Sequence, residues 1–378
     1  MKELFWAAAL LFSIFEILNV YFIMPMPGSQ EMNSLDMAYF LYDHRWKFRA
    51  LLGLTMGISF LRSDWKIKWL PFVAMVLLVT IIYLTNFYMA ADHMFYQPGK
   101  LSFANASANQ VDTNRLIIGV VNGNQAKAYP IRFIGYHHQV MDTIDGKPIL
   151  VTYCTVCRSG RVFEPGIEGK LEKFRLVGMD HFNAMLEDET TRSWWRQVTG
   201  EAIKGSLKGK KLPEVFSQQT SLADWIKLYP DTQIMQADSS FISEYSENTD
   251  YETGRSKKKL TGTDSISWNA KSWVIGVRVG PFTKAYDWNK LKAERIIHDM
   301  IKDTPILLVI STDTTNFYVF KRPADNALFS LKGNQLIFEN HHYSVQGWGI
   351  DTTHNLTPVQ AYQEFWHSWK YFNPDTEN

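Results

Sequence analysis

Cysteine is nearly missing from this chain: Cys154 and Cys157 are the only two in 378 residues. A disulfide framework is therefore excluded as the source of stability, and a chain of this length can bury a full core without one. A surplus of one charge is missing too. Thirty-nine Lys and Arg stand against 38 Asp and Glu, for a formal net charge of +1, and no aromatic residues are threaded through a basic stripe. A nucleic-acid partner, which needs that electrostatic footprint, is not expected. No GxSxG elbow, HExxH pair, P-loop or dinucleotide-binding glycine run occurs, so the common hydrolase, zincin and nucleotide-binding classes receive no support.

Long apolar runs, by contrast, are present. Residues 69–91, WLPFVAMVLLVTIIYLTNFYMAA, carry no charge over 23 positions, enough to span a bilayer core. Residues 4–26 form a second candidate span, interrupted by one acid, Glu16, and lacking the small-residue site at which a secretory signal is cleaved. Between them, residues 50–61 are apolar over about 18 Å of helix and cross only if Arg49 and Arg62 snorkel outward; a re-entrant or interfacial helix is the alternative. Residues 1–91 thus read as a membrane anchor of two or three helices, with the lipid bilayer as partner. Three spans with Lys2 inside also place Arg62, Lys66 and Lys68 inside, and everything after residue 91 outside the cytoplasm. Two spans would reverse the side. The expectation is a multi-pass protein of the cytoplasmic membrane with an extracytoplasmic C-terminal domain.

Residues 92–114 are polar and rich in turn formers, as in a linker. The rest aligns with itself at an offset of 157 residues. LIIGVVNGNQAKAYP (116–130) faces WVIGVRVGPFTKAYD (273–287), and PILVTYCTVCRSGRVFE (148–164) faces PILLVISTDTTNFYVFK (305–321). Identical pairs include Gly119/Gly276, Lys127/Lys284, Tyr129/Tyr286, Asp142/Asp299 and Pro148/Pro305. Each copy reads as strand, turn, strand, short helix, tight turn, buried strand and returning strand. The fold class expected is α+β: N-terminal transmembrane helices, then a β-rich extracytoplasmic domain built from two duplicated units, 115–236 and 270–378. The polar insert 237–269 joins them as a loop.

The copies differ where chemistry is available. Opposite Cys154, Cys157, Arg158 and Gly160 stand Ser311, Thr314, Thr315 and Phe317, and His137 faces Glu294. The fold forms without the sulfur, so a one-sided CxxC points to chemistry. Positions three apart on a flat strand face opposite ways, and CRSG supplies the turn that lets the sulfurs converge. A thioredoxin arrangement is disfavoured, because Arg161 to Phe163 reads as strand and Gly160 and Pro165 break a helix. A zinc or copper site needs one or two further ligands; His137, His138 and His181 flank the pair, and Asp142 could orient one of them. Taken singly, each histidine is as well explained as a core or surface residue. The stretch EDETTRSWWRQVTGEAIKG (187–205) either fills a core with its tryptophans or lines a pocket beside the cysteines with Arg192, Arg196, Gln197 and Glu201.

Together these elements resemble the bacterial and archaeal family known as the domain of unknown function 3179. The resemblance covers residues 115–236. It rests on Ala128 to Pro130, on His137 with Asp142, on the Tyr153 to Ser159 knuckle, and on Asp188, Thr191, Ser193, Trp195, Gln197, Gly200, Ala202, Ile203 and Gly205; LADWIKLYPDTQIM also fits. Two positions depart from the family pattern: His138 stands where Glu is usual and Arg158 where Gly is usual. The family brings no established activity, so three readings stay open. One is a soft-metal site, copper or zinc, held by Cys154, Cys157, His137 and His181, with Asp142, His138, Arg158, Asp188, Thr191, Ser193, Trp195, Gln197 and Glu201 around it. The second is a thiol-disulfide oxidoreductase or other enzyme, in which Arg158 lowers a thiol pKa. The third is an interaction module with a local disulfide, whose small ring gains little from loop entropy. No protein partner or small substrate is named by the sequence.

Overall fold

The computed structural model describes residues 1–378 except 247 and 248. The chain forms two compact units, one of residues 1–96, 172–196 and 201–210, the other of residues 97–171, 197–200 and 211–378.

The first unit holds helices α1 (Lys2–Tyr21), α2 (Leu35–Asp43), α3 (Arg45–Leu61), α4 (Leu70–Tyr83), continued by a π turn at Leu84–Tyr88, and α5 (Ala91–Met94). By length and composition, α1 and the segment Leu70–Tyr88 can cross a membrane. Phe12, Phe15, Leu41 and Leu78 make their common core. Leu10, Leu11, Ile14, Leu51, Leu54, Val76 and Leu77 remain exposed, an outer face that water does not favour. Arg49 does not snorkel outward, as a spanning α3 was expected to require. Its Nε and Nη2 donate to the two carboxylate oxygens of the fully buried Glu16 at 2.7 and 2.8 Å, and Nη2 also reaches Asn86. A buried acid thus neutralises the charge in place. The unit also contains an antiparallel sheet in the order Ala202–Lys204, Trp194–Arg196, Asn183–Asp188, Phe174–Asp180.

In the second unit the strand runs follow the β-branched stretches. In chain order they are β1 (Phe103–Ala104), β2 (Leu116–Asn122), β3 (Gln125–Pro130), α6 (Ile131–His137), β4 (Gln139–Ile144), β5 (Lys147–Cys154), β6 (Ser159–Phe163), β7 (Ser217–Ser221), α7 (Leu222–Leu228) and β8 (Gln233–Met235). One sheet has the order β1-β8-β3-β2-β7, and a second has β4-β5-β6. The β4–β5 turn is Asp145-Gly146, with φ of +48° and +75°, the two left-handed positions of the tight hairpin turn that matches strand twist.

Further on come β9 (Trp273–Val279), β10 (Phe282–Asp287), α8 (Trp288–Glu294), β11 (Ile296–Ile301), β12 (Thr304–Ile310), β13 (Phe317–Lys321), β14 (Ala361–Phe365) and α9 (Trp366–Phe372). Sheets β10-β9-β14 and β11-β12-β13 form, the latter extended by Thr357–Pro358. Ile118 pairs with Tyr129 in the first half and Ile275 with Tyr286 in the second. Tyr129 Oη donates to Asp142 at 2.7 Å, as Tyr286 does to Asp299 at 3.0 Å. Between the halves, the insert expected to be a loop contributes short helices at Ile242–Ser246 and Thr249–Glu252. Its Tyr245 and Tyr251 are buried in the core around β2, β5 and α6, because two aromatics outweigh the polar composition around them.

Candidate functional site

Strand β5 is buried from Ile149 onward and ends at Cys154, which pairs with Ser159 across a turn made by residues 155–158. Arg158 closes that turn with φ +56°. Both cysteines are free thiols with no exposed surface, and their side chains are hydrogen-bonded to each other. The returning strand packs tightly: a Cβ on Gly160 would lie 2.5 Å from Ile118. Gln197 braces the hairpin, accepting from Ser159 Oγ at 2.8 Å and donating to Thr152 Oγ1 at 2.9 Å and to the Ser159 carbonyl at 3.1 Å.

The other wall comes from the far end of the chain. Phe365 N donates to the Cys157 carbonyl at 2.9 Å. Lys271 Nζ donates to the carbonyls of Val156 and Leu260, both at 2.7 Å, and lies 3.3 Å from His367 Nε2, which is itself 3.2 Å from Val156 O. Ser368 hydrogen-bonds Glu364, whose other oxygen accepts from Arg161 Nη2 at 2.6 Å; Arg161 and Glu364 are both fully buried.

Burial pushes the Cys157 thiol well above its usual range, the hydrogen bond it donates to Cys154 adds to this, and Ser368 opposes it. Burial likewise lowers the Lys271 ammonium, an effect offset in part by the charges Cys157 and Cys154 would carry as thiolates. His367 falls to about 4, through burial first and the Lys271 charge second. At neutral pH the site therefore holds a protonated Cys157 thiol and a neutral His367 imidazole beside the partly buried Lys271.

Of the residues singled out in the sequence, the structure gathers Cys154, Cys157 and Gln197. His137 is buried with Nε2 2.7 Å from Tyr245 Oη. His138 ends α6 in the left-handed region, its Nδ1 3.0 Å from the Tyr136 carbonyl, and burial holds it at about 4. Asp142, expected to orient a histidine, has its Oδ2 taken by Lys127 and Tyr129, at 2.7 Å each. His181 belongs to the first unit, where it and Phe182 form a hairpin turn with positive φ, and its Nδ1 lies 2.6 Å from Asp180. Among the described residues no group of three or more His, Cys, Asp or Glu is placed to hold a metal ion, so the four-ligand set is not assembled.

Arg158 differs from expectation as well. It donates to Gln363 Oε1 and to the carbonyls of Tyr251 and Glu252 at 2.9–3.1 Å, and lies 3.8 Å from the Trp273 ring centroid. Its donors serve oxygens, and the neighbouring thiol moves up. The tryptophan-rich element is a fold device of the first unit: Asp188 accepts from Thr191 N and Oγ1, Ser193 N and Trp195 Nε1, while Glu201 accepts Arg196 N through its carbonyl.

The tyrosine–aspartate pairs, the knuckle and this Asp188 network fall within one family model, described as a protein of unknown function (DUF3179), which matches residues 98–376. The chain belongs to the DUF3179 family. The match runs well past residue 236 and takes in the second half, which supplies Lys271, Glu364, His367 and Ser368. No curated protein and no solved structure matches the chain. Reading the sequence missed those four residues, although the asymmetry that exposed the cysteines could have found one: Lys271 faces Asn114 at the same offset of 157.

Proposed function

We propose that this DUF3179 protein is a membrane-anchored copper(I)-binding protein whose Cys154–Cys157 hairpin holds one ion between its two sulfurs. The observation that carries the reading is a pair of mutually hydrogen-bonded, fully buried thiols beside the partly buried Lys271. Soft thiolates favour copper(I), zinc and iron–sulfur clusters, and of these copper(I) can be held by two of them in a linear site. Tetrahedral zinc needs four ligands, which the described residues do not group there. Charge balances: two thiols lose two protons to solvent, the bis-thiolate copper(I) unit carries one negative charge, and Lys271 supplies the opposite one. A thiol pushed up by burial, as Cys157 is, is a poor nucleophile, which makes thiol-disulfide exchange the weaker alternative.

The same reading places α1, α3 and Leu70–Tyr88 across the cytoplasmic membrane and the second unit outside. At 17 residues α3 is about 26 Å long, and Glu16 cancels the charge of Arg49. The matched registers of the two halves support their descent from a duplication, with the sulfurs on one copy and the counter-charge on the other.

Anaerobic titration of the full chain in detergent with copper(I), against a chromogenic copper(I) chelator, tests the site. One ion per chain is expected, with both thiols shielded from alkylation and binding lost in Cys154→Ser and Cys157→Ser. Two alkylatable thiols that retain no copper would sink the reading, and a disulfide that cycles reversibly would favour exchange.

A further inference from the structure

The helical unit contains a cavity of about 230 Å³ at the end of α1, the start of α3 and the end of the Leu70–Tyr88 segment, lined on its polar side by Arg45, Arg49, Arg175 and Asn86. Ile23, Met24 and Met89 belong to its apolar side, and Asp92 also lines it. A second cavity of about 490 Å³ shares Tyr42, Arg45 and Arg175 and adds Lys173 and Arg192 together with the carboxylates Glu187, Asp188 and Glu189.

Most of this charge is internally matched. Arg49 is held by Glu16, and Arg175 by Glu187 at 2.7 Å and Asp92 at 2.9 Å. Arg45 is not: its guanidinium lies 3.8 Å from the Tyr42 ring centroid and donates to the Tyr42 carbonyl, and among the described residues no carboxylate comes within ion-pair distance of it. The cavity therefore offers one surplus guanidinium, half-buried, against an apolar wall, where two apolar helices end. A planar guanidinium suits a phosphate oxygen pair, and a basic recess between membrane helices suits a lipid headgroup. Inorganic phosphate would satisfy Arg45 and leave Ile23, Met24 and Met89 uncovered.

We propose that this recess binds the phosphate of an anionic phospholipid, with Arg45 as its principal ligand and the apolar wall against the start of an acyl chain. The inference rests on the membrane reading of α1 and Leu70–Tyr88 and is independent of copper. The test uses the full chain, delipidated in mild detergent, with native mass spectrometry and thermal unfolding in the presence of phosphatidylglycerol, phosphatidylcholine or inorganic phosphate. Phosphatidylglycerol is expected to give one retained adduct and a higher Tm. Arg45→Gln should lower its occupancy on the order of tenfold, the loss of one charge-assisted bidentate contact, and Arg45→Lys should restore part of it. Equal occupancy in wild type and Arg45→Gln, an equal effect of phosphatidylcholine, or the same Tm rise with inorganic phosphate alone would each overturn the proposal. Release of the protein from membranes by alkaline carbonate would instead remove the membrane reading beneath it.

Discussion

Arg158 sits at φ +56°, a conformation that disfavours any residue with a Cβ, at a position where the family pattern usually carries Gly. Its guanidinium repays the strain with three hydrogen bonds and the face of Trp273. Two substitutions separate the effects. Arg158→Gly relieves the backbone but leaves buried acceptors unmet, which costs about 2–4 kcal/mol. Arg158→Ala loses the same contacts and keeps the strain, so it should fall about 1 kcal/mol lower still. Urea unfolding of both variants reads the difference; equal midpoints would show that the turn is unstrained. Two neutral histidines set an acid limit. Burial holds His138 and His367 at about 4, below the 6.5 of an unfolded chain, so between those values the unfolded state binds more protons. The stability they contribute is complete above pH 6.5 and drains as pH falls toward 4, by up to about 1.4 kcal/mol per unit for each group. Tm measured from pH 7.5 to 4.5 should drop through that window and drop less in His367→Gln; a flat profile would contradict the burial.

At the level of elements, each half seats a helix on a strand through a tryptophan laid over a glycine. A Cβ on Gly119 would meet the Trp225 ring at 2.3 Å, and one on Gly276 the Trp369 ring at 2.2 Å. Each indole also donates to a threonine seven residues later, Trp225 to Thr232 at 2.8 Å and Trp369 to Thr376 at 2.9 Å. The glycines were legible as an identical pair at offset 157. The tryptophans escaped notice because they stand 144 residues apart, in DWIKLYPDT and SWKYFNPDT, the segments between strands and helix differing in length. A gap-free comparison cannot join segments whose spacing has changed, whereas packing restores the correspondence. Gly119→Ala and Gly276→Ala should therefore each destabilise by about 1–3 kcal/mol through overpacking. Differential scanning calorimetry would show both losses, and an unchanged Tm in either would mean that its helix shifts freely on the sheet.

Across the whole second unit, the site is assembled from segments that no sequence period connects. The sulfurs were visible because residues 148–164 carry them and the segment 305–321 aligned with them does not, and Gln197 because it sits in a family element; Glu364 and His367 take their meaning only from the fold that returns them to the hairpin. Arg161 and Glu364 show what that return requires. They are 203 residues apart, fully buried and joined at 2.6 Å, with the Arg161 guanidinium 3.5 Å from the Tyr362 ring centroid. Breaking such a pair on one side leaves a buried charge without its partner, whereas replacing both with apolar groups of similar size removes the desolvation penalty together with the attraction. Glu364→Gln leaves Arg161 only the more distant Glu214, at 3.8 Å, and should consequently destabilise the protein by about 3 kcal/mol, and the double variant Arg161→Met/Glu364→Leu should recover most of that loss. Urea unfolding of the single and double variants forms a double-mutant cycle in which a coupling below about 0.5 kcal/mol would show that the two sites behave as independent, and that the second half covers the cysteine hairpin without being tied to it by charge.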